Sequence, residues 1–244
     1  MAKSLTVVVP AYNEQDNIVF AIDDLLRSFQ GEVEDYEIIV VDDGSQDRTA
    51  AIVHERSRSN PRIMCLSNNP NGGYGCSYRR GVMAATKEYV GVFNGDNDQS
   101  WESFQELIKN IGQADILSLY TSNTQARPWH RRVLSQAFVI LMNTLFGTKM
   151  TYLNGLFIAR RDILQALDIR SDGLSALAEC KVKLLRLGYT CKEIPGIHIP
   201  RHGGRSTALS PKSLRAVASA VWLLYKDIYG KKDQRAPISS SSQR

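Results

Sequence analysis

Asp96 and Asp98 stand two residues apart where an apolar run, Tyr89-Val-Gly-Val-Phe93, breaks into Asn94-Gly95-Asp96-Asn97-Asp98-Gln99. The run has the length and the β-branched and aromatic content of one buried strand. No Lys or Arg inside the stretch neutralises the two carboxylates, so it calls for a cation. Hard oxygen donors at the end of a strand suit Mg²⁺ or Mn²⁺, and such an ion, held by one or two carboxylates, shares its remaining positions with substrate phosphates. Taken alone, the same residues also describe a turn that caps the next helix, because Asn-Gly and Asp-Asn are ordinary turn pairs.

The elements that must carry this site repeat one pattern. Leu5 to Val9 reads as a strand buried on both faces and ended by Pro10. Ala11, Tyr12, Asn13 and Glu14 follow, with Asn13 as N-cap, Asp16 three residues on, and Ile18, Ile22, Leu25 and Leu26 at helical spacing. Glu37 to Val41 is a second buried strand, ending in Asp42-Asp43-Gly44-Ser45 before a helix that reaches Arg58. Arg62 to Leu66 is the third, followed by a loop from Asn68 to Gly75, with Gly72, Gly73 and Gly75, and a helix through Ala85. The strand before Asn94 is the fourth. Four strand-to-helix units in about 110 residues predict an α/β fold, a mostly parallel sheet flanked by helices and joined by right-handed crossovers. In such sheets ligands bind beyond the carboxyl ends of the strands. Four polar loops therefore converge on one rim, and together they describe a nucleotide-and-metal site. The dinucleotide fingerprint does not fit: Gly73-Tyr-Gly75 lacks the third glycine and follows the third strand. No Gly-Lys-Ser/Thr is present for a Walker A loop.

The 244 residues suffice for one sizeable domain. The first apolar run is too short for a signal peptide or a membrane span, which predicts a cytoplasmic protein. Cys65, Cys76, Cys180 and Cys191 show no metal or redox spacing and read as reduced structural thiols. Charge is uneven: residues 1–180 hold 17 Lys/Arg against 22 Asp/Glu, and residues 181–244 hold 13 against 3. The basic end expects anions, whether substrate phosphate or lipid headgroup.

Val9-Pro-Ala-Tyr-Asn-Glu-Gln-Asp-Asn-Ile18, Val40-Val-Asp-Asp-Gly-Ser-Gln-Asp-Arg-Thr49 and the Gly-Asp-Asn-Asp cluster one strand later together resemble family 2 glycosyltransferases of the GT-A fold. The likeness runs from about residue 5 to 210. Within that family the chain looks most like the polyprenyl-phosphate and dolichyl-phosphate sugar transferases. Arg127-Pro-Trp-His-Arg-Arg132, Gly155-Leu-Phe-Ile-Ala-Arg-Arg161, Glu179 in a helix, Gly188-Tyr-Thr-Cys-Lys-Glu-Ile-Pro195 and Arg201-His-Gly-Gly-Arg-Ser206 resemble that branch's recurring stretches. The resemblance implies an inverting transfer from a nucleoside-diphosphate sugar to a polyprenyl phosphate or related acceptor. Nucleic acid is not an expected partner.

It also implies roles. Asp42 and Asp43 would accept hydrogen bonds from a base N–H and ribose hydroxyls. Pro10, Ala11 and Asn13 would line the base pocket, with Glu14 on polar atoms of the nucleotide. Asp96 and Asp98 would hold the metal against the diphosphate, in one of two registers, Asn94-x-Asp96 or Asp96-x-Asp98. Gly75 would let backbone approach the donor. Arg127 and Arg131 suit phosphate through their planar forks, and Arg201 and Arg205 would clamp the diphosphate from a glycine-bearing lid. Glu179 would serve as general base, or orient an arginine if the acceptor is already anionic. The Tyr152-Leu-Asn154-Gly155 stretch lacks an aspartate that many relatives carry nearby.

The expected organisation is a glycosyltransferase domain over 1–209, with a nucleotide half at 1–112 and an acceptor half at 113–209. An amphipathic helix at 210–230 and a disordered tail at 231–244 follow. In that helix Leu214, Val217, Ala218, Val221, Trp222, Tyr225, Ile228 and Tyr229 share a face that either packs on the domain or lies on a membrane as a peripheral contact. Two other classes compete with the leading reading. A sugar-1-phosphate nucleotidyltransferase would need a Gly-Thr-Arg loop where Pro10-Ala-Tyr-Asn13 stands, and a catalytically silent nucleotide-sugar binder would bind donor without turnover.

Overall fold

The apolar runs become the inner strands of one seven-stranded sheet. In chain order the strands are β1 (Ser4–Ala11), β2 (Asp35–Asp42), β3 (Ile63–Ser67), β4 (Tyr89–Val92), β5 (Ile116–Thr121), β6 (Phe157–Arg160) and β7 (Cys191–Gly196). Their spatial order is β3-β2-β1-β4-β6-β5-β7. β6 runs antiparallel to β4 and β5, and the remaining pairs are parallel, so the expectation of a mostly parallel α/β sheet holds. The structure is a computed structural model that describes residues 3–126, 128–200, 203 and 211–230, without the side chains of 126 and 211–214.

β1 extends two residues past the predicted end, because Pro10 and Ala11 pair with Val41 and Asp42. Proline is tolerated there for a geometric reason. A strand residue's N–H and C=O point to the same side; Pro10 O faces β4, accepting from Gly95 N at 3.3 Å, and the β4 pairing has already ended at Val8↔Val92. The missing N–H of Pro10 therefore costs no ladder bond.

The helices are α1 (Ile18–Phe29), α2 (Thr49–Ser59), α3 (Tyr74–Ala84), α4 (Trp101–Lys109), α5 (Trp129–Phe146), α6 (Arg161–Gln165), α7 (Ala176–Arg186) and α8 (Pro211–Tyr229). α1 begins four residues later than Asn13 as N-cap would have it: its cap is Asn17, and Asn13 sits in a left-handed conformation (φ 55°) inside the preceding loop. α4 is capped as its sequence suggests, with the Ser100 hydroxyl accepting from Ser103 N, Glu102 in the first turn and Lys109 in the last.

The main core is filled by the faces of β1, β2 and β4 and by α1, α3, α4 and α7. A smaller core holds Met142 and Phe146 of α5, Ala178 and Val182 of α7, and Leu224 of α8. The predicted stripe of α8 divides there: Val221 and Ile228 pack inward, while Trp222, Tyr225 and Tyr229 stay exposed.

Lys181 of α7 is fully buried, its Nζ donating to Gly155 O at 2.7 Å and lying 5.2 Å from the Phe157 ring centroid. Burial pushes its ammonium pKa down to about 7. Between that value and the ordinary lysine range the unfolded chain binds the proton and the folded one does not, so stability rises with pH across this window. Urea unfolding midpoints of the protein should climb from pH 7 to 10, and Lys181→Met should flatten the climb. A flat profile in the parent protein would contradict the assignment.

Candidate active site

Asp42 ends β2 and Asp43 follows it, both almost fully buried at the carboxyl rim of the sheet. Their surroundings differ. Asp43 accepts three hydrogen bonds from the loop after β3: Asn68 Nδ2 at 2.8 Å and Gly72 N at 3.0 Å on Oδ1, and Gly73 N at 2.7 Å on Oδ2. Its backbone N–H donates to Ala11 O at 2.8 Å, and its carbonyl accepts from Asn71 Nδ2 at 2.9 Å. Asp43, expected from the sequence to meet the nucleotide, has three of its acceptor positions occupied in shaping the glycine loop. Among the described residues Asp42 receives one long bond, from Ser45 N at 3.3 Å, which leaves about three of a carboxylate's four acceptor positions unfilled.

The loop after β1 is laced to the loop after β2. Asn13 N donates to Ser45 Oγ (2.9 Å), and Asn13 Oδ1 accepts from Gln46 N (2.8 Å). Glu14 N donates to Thr49 Oγ1 (2.8 Å), and Gln15 N to Asp47 Oδ2 (3.1 Å). Asp47 thus joins the two loops as well as the first turn of α2, where it accepts from Thr49 N at 2.9 Å. The Glu14 carboxylate, expected from the sequence to bond the nucleotide, accepts from Asn17 Nδ2 at 2.7 Å and so also braces the start of α1. Pro10 and Ala11 are buried in β1, and their carbonyls bind Gly95 N and Asp43 N. They form the floor on which three loops meet.

Gly75 was expected to admit a ligand. Instead a Cβ there would run into Ser171 O and Ala176 Cβ, and Gly75 N donates to Asp172 O at 2.7 Å. Its smallness lets the 171–176 segment close against the start of α3, which corrects its placement as a donor contact.

The acids after β4 gather around Tyr74. The Tyr74 hydroxyl donates to Asn94 Oδ1 at 2.9 Å, and Asn94 Nδ2 donates to Asp98 Oδ1 at 3.1 Å. Burial, followed by the nearby charges of Asp96 and Asp98, holds the Tyr74 phenol well above its ordinary pKa, so it stays a neutral donor. Asp98 Oδ2 lies 3.7 Å from His198 Nδ1, and Asp98 O accepts from Ile199 N at 3.0 Å. Asn94 spends both ends of its amide inside the cluster, while Asp96 and Asp98 supply the charge. Among the described residues no three His, Cys, Asp or Glu side chains converge as a self-sufficient metal cage. Two hard carboxylates two residues apart are the donor set that Mg²⁺ or Mn²⁺ shares with a diphosphate, so the chemistry of the residues fits such an ion.

Glu179 lies elsewhere in function. It is buried in α7, accepts from Arg170 N (3.0 Å) and Ser171 N (2.8 Å), and pairs with Lys183 at 2.7 Å. Burial would raise its pKa, but the Lys183 and backbone bonds overcome that and lower it. A carboxylate so occupied is a poor proton acceptor, and its predicted role as general base is corrected to that of a brace. Lys183 continues the network to Asp227 of α8 at 2.7 Å. Arg131 lies half-buried in the first turn of α5. Arg127, Arg201 and Arg205 fall outside the described residues. Gly203, between the latter two, is held at the rim: its N donates to Asn17 Oδ1 at 3.1 Å and its O accepts from Asn17 Nδ2 at 3.3 Å.

Tyr74, His198, Asn68 and Asn17 were not among the residues singled out in the sequence. Tyr74 lay between two noticed glycines, and Asn68 opened a noticed loop; His198, brought to Asp98 by the bridge of Gln99 with His198, carried no local signal.

A mostly parallel sheet with polar loops gathered at its strand ends defines an α/β protein of the kind that binds ligands on that rim. A family-wide sequence model, Glycosyl transferase family 2, matches residues 6–168, and the chain belongs to that family. Among curated proteins it is 34% identical over 116 residues to the uncharacterized glycosyltransferase EpsJ of Bacillus subtilis (strain 168), covering 48% of this chain and 33% of that one. It is 33% identical over 126 residues to the dolichyl-phosphate beta-glucosyltransferase ALG5C of Trichomonas vaginalis, covering 50% and 36%. The corresponding protein of Dictyostelium discoideum is 28% identical over 159 residues, covering 58% and 49%. The chain thus spans between a third and a half of the length of these relatives. Among solved structures, glucosyl-3-phosphoglycerate synthase from Mycobacterium tuberculosis, in complex with Mn²⁺, UDP-glucose and phosphoglyceric acid, superposes with a TM-score of 0.68 at 19% identity, covering 95% of this chain and 81% of that one.

Two substitutions separate shaping from ligand contact. Asp43→Ala strands three donors and should cost about 3 kcal/mol in urea unfolding. Asp42→Ala should cost under about 1 kcal/mol while weakening nucleoside diphosphate binding in calorimetry. The reverse order would contradict the division of labour.

Proposed function

We propose that this chain transfers a sugar from a nucleoside-diphosphate sugar to a polyprenyl phosphate or related lipid phosphate. The single observation that carries the reading is that β2 and β4, both parallel to β1 between them, end on the same rim, one in Asp42 and the other in the loop of Asp96 and Asp98. The acceptor class is supported by the dolichyl-phosphate β-glucosyltransferases among the relatives. The involvement of a divalent ion is supported by the Mn²⁺ and Mg²⁺ complexes of the structural neighbours.

In this reading Asp42 accepts from the base and ribose, and the floor at Pro10 and Ala11 supports the nucleoside. Asp96 and Asp98 hold Mg²⁺ or Mn²⁺, which when bound neutralises charge on the departing diphosphate. Asn94 and Tyr74 keep Asp98 aimed. Arg131, with Arg127, Arg201 and Arg205, supplies forks for phosphate oxygens. An oxygen of the acceptor phosphate attacks the anomeric carbon as the bond from that carbon to the diphosphate oxygen breaks, inverting the centre and releasing the nucleoside diphosphate. Because the acceptor is already anionic at neutral pH, no side chain need take a proton, which agrees with the occupation of Glu179 by Lys183 and two backbone N–H groups.

Release of nucleoside diphosphate should require donor, metal and lipid phosphate together. Asp96→Ala should lower it by about 100-fold or more. Glu179→Gln, assayed at a temperature where it remains folded, should keep kcat within about 10-fold, since no proton transfer is lost. Undiminished release by Asp96→Ala would overturn the site assignment. Release with a hydroxyl-bearing glycan and none with lipid phosphate would overturn the acceptor.

A further inference from the structure

α5 is an unusual helix for the outside of a protein. Its inward side supplies Met142 and Phe146 to the smaller core, yet Trp129, Val133, Leu134, Ile140 and Leu141 are exposed on the other, at 72%, 57%, 40%, 67% and 47%. Val133, Ala137, Ile140, Leu141 and Thr144 recur at the spacing of one stripe, and all face solvent. The apolar periodicity legible in the sequence therefore does not mark core packing. Scattered surface hydrophobics are ordinary, but a stripe along a five-turn helix marks a contact.

α8 packs on the inward side of α5 and carries exposed aromatic side chains of its own. Tyr229 stacks on Phe146 with ring centroids 6.3 Å apart, and its hydroxyl donates to Leu145 O at 2.8 Å. Tyr229 touches Tyr225 at 4.9 Å, and Tyr225 stacks on Trp222 at 6.2 Å. Lys226 Nζ lies 5.0 Å from the Trp222 ring. Trp222, Leu223, Tyr225 and Tyr229 are all exposed. Two neighbouring helices thus each present exposed apolar side chains, with Trp and Tyr among them.

Charge selects the occupant. α5 contains no acidic residue, and the one in α8, Asp227, is turned inward to Lys183 at 2.7 Å and Arg170 at 3.2 Å. Arg131, Arg132, Arg215 and Lys226 accompany the apolar side chains. A second copy of the chain would set this basic surface against itself, with Asp227, the one acid of the two helices, already paired to Lys183 and Arg170 and unable to relieve the repulsion. An anionic bilayer answers both features: it buries the stripe, seats Trp and Tyr at the headgroup level and attracts the Lys and Arg. Among the described residues no helix is long and apolar enough to cross a membrane, so contact would be in the plane of the surface.

We infer that the outer face of α5 and α8 is a bilayer-docking surface for anionic lipid. It rests on observations independent of the donor site, and it deepens the proposed function by giving a lipid-linked acceptor a place to come from. α5 follows β5, whose carboxyl end lies on the same rim as the acids, so Arg131 and Arg132 stand where the docking face meets the site. A phosphate held at the headgroup level would reach the rim there without leaving its membrane.

The test uses the full chain and vesicles carrying no polyprenyl phosphate. Co-sedimentation should be strong with phosphatidylglycerol-containing vesicles, weak with phosphatidylcholine alone, and weakened by salt. Val133→Asp combined with Ile140→Asp should lower the bound fraction about tenfold. These positions are exposed, so circular dichroism and nucleoside diphosphate binding should be unchanged. Trp129 or Trp222 emission should shift to the blue on binding and be quenched by brominated lipid. No sedimentation with anionic vesicles, equal sedimentation of the double variant, or a dimer in analytical ultracentrifugation that the double variant abolishes would each overturn the inference. A water-soluble short-chain acceptor phosphate, assayed without vesicles, reads the proposed transfer separately, so failure of docking and failure of the chemistry are distinguishable.

Discussion

The carboxylate of Asp43 is the interaction on which the rim depends. A buried carboxylate is costly unless its oxygens are filled, and here three donors from the loop after β3 fill them. That bond set fixes the 68–73 loop against the end of β2. The same residue's main chain binds Ala11 and Asn71, tying β1 into the junction. With the glycine loop fixed, α3 starts at Tyr74, and its hydroxyl reaches Asn94, which in turn holds Asp98. The positions of the two metal-binding candidates thus descend, bond by bond, from the acid that holds the glycine loop.

The same junction reaches into the second half of the chain. Gly75 admits the 171–176 segment, whose neighbouring N–H groups at 170 and 171 are fixed by Glu179, and Glu179 is fixed by Lys183 and so by Asp227 of α8. Removing Lys183 or Asp227 leaves charge in a buried place, which makes the network demanding of all its members. It also means that the helix carrying the exposed aromatic surface is keyed by ion pairs to the loop that packs on the nucleotide side.

Much of this was legible in the residues. The four strands, their loops and their shared rim follow from apolar runs punctuated by Asn, Asp and Gly, because parallel strands buried on both faces can be built in few other ways. Other features were not. A doubled acid looks the same whether both members face a ligand or one turns back to hold a loop, and only the bond partners of Asp42 and Asp43 distinguish them. Gly75 could as well have served a phosphate as a neighbouring backbone, and Ser171 lies about a hundred residues away in sequence. Glu179 sat at helical spacing among apolar residues, which marks burial but not whether the acid is free to act. His198 reaches Asp98 through a long-range pairing that no local pattern announces. On α5 apolar residues recur on both sides of the helix, so their spacing is silent on which side is covered.

The central claim is that Asp43 builds the rim while Asp42, Asp96 and Asp98 face the ligand across it. The most direct test is a crystal structure with Mn²⁺ and a uridine or guanosine diphosphate, with the ion located by its anomalous scattering. The account predicts the ion between the Asp96 and Asp98 carboxylates and the diphosphate, the nucleoside against Asp42, and Asp43 still bonded to Gly72 and Gly73. An ion held away from both acids, or a nucleoside bound to Asp43 with the glycine loop released, would contradict it.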